Sequence, residues 1–167
     1  NLTEIAGQTL FLMKEKGVTA ENTFIDDVGV GGGAVDPLHY QQKNVRGINV
    51  GMTALEQGRF INIRAEAYWR FREWIKKGGK LCACHRDEWL VQLPKIKYKP
   101  DSKGRLRVMS KDEMRMNGID SPDVADAGML TFVRAEHGDL EARRNKREAK
   151  RKKHSFGRGL KVTQGGY

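Results

Sequence analysis

The sequence predicts an α/β domain with a mixed sheet. Short β-prone runs alternate with amphipathic helical segments through the first half of the chain. Later, two β-prone runs follow one another with only a Gly-containing turn between them, which predicts an antiparallel pair.

The elements follow in order. In residues 2–16, Leu2, Ile5, Ala6, Leu10 and Met13 recur at helical spacing, and Gly17 is the expected stop. Thr23-Phe24-Ile25 is a short strand running into Asp26-Asp27, followed by a glycine-dense turn. Asp36-Pro37 reads as the next helix start, with Asp36 as N-cap, ending near Lys43–Asn44. Residues 45–50 form the second expected strand. A strong amphipathic helix runs from about Asn62 to Lys77, combining an apolar face with basic residues, and Gly78-Gly79 ends it. The three tryptophans, Trp69, Trp74 and Trp89, are expected as core anchors. A short helix spans Arg86–Leu93, stopped before Pro94. Residues 96–108 form the hairpin, turning at Asp101–Gly104. Ser110 starts a further helix with an acidic first turn. Ser121-Pro122-Asp123 starts another, which packs Val124, Ala125, Met129 and Leu130 on the body and continues into the charged stretch near Glu141–Lys153.

The chain has 167 residues, room for one domain with a real core. No apolar run approaches the ~18 residues of a membrane span, and no signal-peptide pattern opens it. It does not begin with Met, and a fragment of a longer protein is expected. The net charge of +10 is uneven: residues 134–167 hold 11 Lys/Arg against 4 Asp/Glu. The expected division is a folded body over 1–133 and a basic helix and tail over 134–167. Such tails bind polyanions by releasing counterions, which points to nucleic acid.

Several chemistries are set aside by spacing. The glycine-dense turn lacks the Lys-Ser or Lys-Thr of an ATP-binding loop, and its spacing is loose for a dinucleotide fingerprint. Cys82 and Cys84 are expected as thiols; with His85 they lack the second ligand pair of a structural zinc site. His39, His85, His137 and His154 have no patterned partners. The carboxylates are more informative. Asp26 stands where a strand ends, the place where ligands collect in open α/β sheets. Asp123 and Asp126 share a helix face. Carboxylates gathered together hold a hard cation such as Mg²⁺ or Mn²⁺. Spacing alone does not choose between that role and ordinary turn and helix capping.

Four segments, taken in order, resemble the nuclease domain of tailed-phage large terminases. They are Phe24-Ile25-Asp26-Asp27-Val28-Gly29-Val30-Gly31-Gly32-Gly33-Ala34-Val35-Asp36, then Asn62–Glu73, then Ser110–Met114, then Ser121–Ala127. The resemblance implies a ribonuclease H-like mixed β-sheet flanked by helices. It also implies a two-metal endonuclease using Mg²⁺ or Mn²⁺. Asp26 matches the middle catalytic carboxylate and Asp123 the last metal-binding position. Asp126 is a neighbour that helps bind or orient metal. Lys111 matches a basic position that contacts the scissile phosphate or orients Asp26. The implied substrate is concatemeric double-stranded DNA in the host cell cytoplasm. The implied partners are the portal protein, the small terminase subunit and an ATPase domain of the same full-length protein. The family's first catalytic Asp has no visible counterpart, because Glu4 lies in the first helix. The expectation is therefore that the opening strands are lacking and that the piece alone is weak or inactive.

Lys97, Lys99, Lys103, Arg105 and Arg107 alternate along the hairpin and form either a DNA-facing side or a solvated face. Two rivals accompany this reading. One is a junction-resolving nuclease of Holliday-junction type with the same fold. The other is a non-catalytic DNA-binding or portal-docking module.

Overall fold

The computed structural model describes residues 2–27 and 32–134 of the chain. Helix α1 (Leu2–Lys16) ends at Gly17, which takes the left-handed φ of 63°. The Val18 amide then donates back to the Met13 carbonyl at 2.9 Å, a six-to-one closure that only a left-handed residue at Gly17 allows.

Strand β1 (Phe24–Asp26), helix α2 (Gly32–Tyr40) and strand β2 (Arg46–Ile48) form a β–α–β unit. The strands are parallel, with Ile25 opposite Gly47 and Asp26 opposite Ile48. The expected helix start at Asp36 is corrected. The helix begins at Gly32 and carries Pro37 in its interior. An interior proline forfeits one helical hydrogen bond. Here Val35 and Leu38, in the turns on either side of it, are buried with Ala6 and Val45 in a small core of their own. That burial needs helical geometry before and after the proline.

Helix α3 (Ile63–Lys76) is the spine of the main core. Its start is fixed on two sides. The Asn62 side chain accepts from the Ala65 amide at 3.0 Å. The Ile63 and Arg64 amides donate to the carbonyls of Met52 and Val50 at 2.8 and 3.0 Å. Glu66, fully buried, accepts from the Leu55 amide at 2.7 Å and so pins the preceding loop.

Helix α4 (Arg86–Gln92) follows, and Pro94 sits in the short 3₁₀ turn after it. The expected thiols at Cys82 and Cys84 are corrected. A 3₁₀ turn brings their Cα atoms to 5.4 Å and the pair is joined as a disulfide. The hairpin is present but short: β3 (Tyr98–Pro100) pairs antiparallel with β4 (Leu106–Val108). Helices α5 (Lys111–Met116) and α6 (Asp123–Leu130) complete the described body.

The expected mixed sheet is present only as small pieces, one parallel and one antiparallel. Among the described residues the strands form two separate two-stranded pieces. Segment 59–61 links hairpin to spine: the Leu106 amide donates to Arg59 and the Ile61 amide to Leu106, at 2.7 and 3.1 Å. The expected continuation of the last helix toward Glu141–Lys153 stops at Leu130, and the basic tail lies outside the described residues. No helix among the described residues is long and apolar enough to cross a membrane.

Tryptophans and phenylalanines close the main core. Phe71 stacks on Phe132 at 4.8 Å and meets Trp89 edge-on at 6.0 Å. Helix α6 fits beneath them because residue 128 is glycine. A Cβ there would lie 2.7 Å from Trp89 and 3.0 Å from Phe71. Gly128→Val is therefore expected to destabilise the domain by about 1–3 kcal/mol through overpacking. Urea unfolding of the full chain checks this; an unchanged midpoint would mean that α6 does not pack as described.

Candidate active site

The loop after β1, the loop after β2, the start of α3, the end of β4, the start of α5 and one face of α6 converge on an open groove of about 680 Å³. Asp26 and Asp27 enter from the end of β1, Arg64 from α3, Arg107 from β4, Lys111 from α5 and Asp126 from α6.

Each element is placed for a local reason. Helix α5 begins at Lys111 because Ser110 and Glu113 form a capping box. The Glu113 amide donates to Ser110 Oγ at 3.1 Å, and the Ser110 amide donates to Glu113 Oε2 at 2.8 Å. The same carboxylate receives both terminal nitrogens of Arg107, at 2.5 and 2.7 Å. Helix α6 has Pro122 before its first residue and no side-chain cap of its own there. A cap comes from another helix instead: Gln92 Oε1 accepts the Ala125 amide at 2.9 Å.

Asp126 is held by several donors at once. Its Oδ1 accepts from Tyr68 Oη at 2.6 Å and from Arg64 Nη2 and Nε at 3.0 and 3.3 Å. Its Oδ2 stands 3.9 Å from Lys111 Nζ. Burial pushes the Tyr68 phenol far up from its ordinary value, and the neighbouring Asp126 charge adds to the shift. Tyr68 is therefore a proton donor throughout the working pH range.

The structure thus brings Asp26, Asp126 and Lys111 together. Asp123 does not line the groove; it is exposed at the start of α6 and accepts from Ser121 Oγ at 2.6 Å. Of the five hairpin cations, Arg107 alone lines the groove, and it is engaged by Glu113. Arg105 is paired with Asp101 at 2.7 Å, whereas Lys97, Lys99 and Lys103 are exposed. Arg64 and Tyr68 were not anticipated as site residues. Their one sequence signal was the i, i+4 spacing that puts both on one face of α3.

No protein-family model matches the chain, and no curated protein does. Solved structures do. Two structures of a mutant nuclease domain of the large terminase subunit of bacterial virus Sf6 match, one with manganese and one with manganese and beta-thujaplicinol. Each is 20% identical and covers 76% of this chain. They match over 71% and 70% of their own lengths, with TM-scores of 0.65 and 0.64 respectively. The chain has the fold of a phage terminase nuclease domain. Within this terminase-nuclease fold, the groove joins β1 to α6 through Asp26 and Asp126.

The capping box gives the groove rim a pH dependence. Arg107 hydrogen bonding, then the Ser110 amide, holds the Glu113 carboxyl down from 4.5 to about 2. A lowered carboxyl stabilises the fold fully above its unfolded value, and that stabilisation is lost as pH falls through the folded one. Glu113→Gln is expected to melt below the wild type at pH 7. The gap should narrow between pH 4.5 and about 2. Thermal melts across that window check it, and a gap independent of pH would contradict the assignment.

Proposed function

We propose that this domain is a metal-dependent endonuclease that cuts concatemeric double-stranded DNA during phage genome packaging. One observation carries the reading. In a terminase-nuclease fold, Asp26 and Asp126 come from different elements yet open onto one groove, with the exposed ammonium of Lys111 at its rim. The sheet pieces are read as part of a ribonuclease H-like sheet, consistent with the fold of the Sf6 domains.

The donor chemistry fits a hard divalent cation. The groove offers carboxylate and amide oxygens from Asp26, Asp27, Asp126 and Asn49; its lining includes no cysteine or histidine, and its one sulfur is the thioether of the buried Met129. Among the described residues no group of three or more His, Cys, Asp or Glu side chains is close enough to hold a metal alone. Asp26 and Asp126 are therefore assigned as ligands that share the cation with water and with the DNA phosphate. Mg²⁺ or Mn²⁺, as two ions, is the proposed cofactor. Its chemistry when bound is to activate water and to neutralise charge on the phosphodiester.

The chain's own residues do the remainder. Lys111 meets the phosphate and offsets its charge. The Asp126 carboxylate presents Oδ2 to the groove while Oδ1 stays in its hydrogen bonds. We assign to Asp126 the place that the sequence resemblance gave Asp123, because Asp126 lines the groove and Asp123 does not. The hairpin lysines and the basic tail are read as contacts to DNA. In this setting the ATPase domain of the full-length protein, the portal protein and the small terminase subunit are the proposed partners, in the host cell cytoplasm.

Cleavage of supercoiled plasmid by the full chain with Mn²⁺ tests the reading. Asp26→Ala and Asp126→Ala should each lose more than about 100-fold in rate, since even outer-shell losses at metal sites cost about 10–100-fold. Asp123→Ala should stay within about threefold of wild type, the spread expected of an exposed group whose loss removes one local bond. A wild-type chain that binds DNA but takes up no Mn²⁺ in calorimetric titration would favour a non-catalytic module. Preferential cutting of four-way junctions would favour a resolvase.

A further inference from the structure

We infer that Arg64 and Tyr68 form a clamp that sets the orientation of Asp126, so that one carboxylate oxygen is saturated by protein donors and the other is turned to the groove. The inference rests on the reading of the groove as a metal site.

The geometry is one-sided. Tyr68 Oη, Arg64 Nη2 and Arg64 Nε all reach Asp126 Oδ1, at 2.6, 3.0 and 3.3 Å. A carboxylate oxygen receiving three donors is at the limit of its acceptor capacity. Among the described residues, the only partner of Oδ2 within ion-pair range is Lys111, at 3.9 Å and more than half exposed. Rotation of the carboxylate would exchange a saturated oxygen for an open one, and the clamp opposes it.

Arg64 is not placed to bind DNA itself. Its side chain is 11% exposed, and its third nitrogen, Nη1, donates to the Met109 carbonyl at 2.9 Å. Its guanidinium carbon also sits 5.4 Å from the centre of the Tyr68 ring. One side chain from α3 therefore ties α6 to the link between β4 and α5. The two donors are four residues apart on one helix, so a single rigid element carries both arms. Tyr68 is the cleaner arm to remove, because Tyr68→Phe deletes a hydroxyl without changing charge.

Two measurements on the full chain test the clamp. The first is a double-mutant cycle of Tyr68→Phe with Asp126→Asn, read by thermal unfolding without metal. It should show non-additive losses, because the two groups share a bond. The second is calorimetric titration with Mn²⁺ alongside plasmid cleavage. Tyr68→Phe and the conservative Arg64→Lys should weaken Mn²⁺ binding by about 10–100-fold and lower kcat, while KM for DNA stays at the wild-type value.

If Tyr68→Phe folds, couples to Asp126 and still binds Mn²⁺ and cuts as wild type does, the tyrosine is only structural and the clamp is overturned. Additive losses in the cycle overturn it as well. If Asp26→Asn and Asp126→Asn themselves leave Mn²⁺ binding unchanged, the groove is not the metal site; the functional reading then fails and takes the positioning role with it. Loss of Mn²⁺ binding in both aspartate variants but not in Tyr68→Phe removes the clamp alone.

Discussion

The ion pair between Arg64 and Asp126 ties α3 to α6, far apart in sequence, and through the Met109 carbonyl Arg64 also holds the segment after β4; the geometry of the groove depends on it. Both side chains are largely buried, at 11% and 16% exposure. Such a pair is costly to desolvate and is tolerated when every remaining donor and acceptor is used. Arg64 meets that condition through Met109; Asp126 meets it at Oδ1, through Tyr68, and leaves Oδ2 toward Lys111 and the groove. The interaction can form only if α3 begins at Ile63, which Asn62 and the carbonyls of Val50 and Met52 ensure. It also needs α6 seated beneath Trp89 and Phe71, which Gly128 permits. Local capping, core packing and site geometry are thus one chain of dependence.

Much of the fold was legible from local patterns. The helix of residues 63–76, the capping box at Ser110 and the hairpin turn all rest on residues adjacent in sequence. Helix α2 was misread at its start. Asp36-Pro37 has the form of a helix opening, yet burial of Val35 and Leu38 carries the helix through the proline. A tertiary contact outweighed a local preference, as helix propensities allow. The separation of the sheet into two pieces was likewise invisible, since strand pairing is a non-local property.

The candidate site divided along the same line. Asp26 stands out in the sequence because a strand end is readable there, and it lines the groove. The sequence resemblance put Asp123 ahead of its neighbour Asp126, and helical spacing could not test that order, because residues three apart lie on the same face. The partner network separates them. Asp126 turns into the body toward Arg64 and Tyr68, and Asp123 is engaged by its own neighbour Ser121. Arg64 and Tyr68 were hidden because their partner lies 62 and 58 residues away.

The cations of the domain divide by chemistry in a way that bears on the proposed contact with DNA. Arg64, Arg105 and Arg107 are all engaged by internal carboxylates, those of Asp126, Asp101 and Glu113. A planar guanidinium matches two carboxylate oxygens, which suits it to structural pairing. The lysines Lys97, Lys99, Lys103 and Lys111 stay exposed, and the carboxylates nearest Lys99 and Lys111, Glu113 and Asp126, are 3.8 and 3.9 Å away. A lysine acts on phosphate as a mobile point charge and reads no base pattern. On the proposed reading, such contacts give binding that is strongly salt-dependent and indifferent to sequence. That is the behaviour required of a nuclease that must act on whatever stretch of DNA is presented to it.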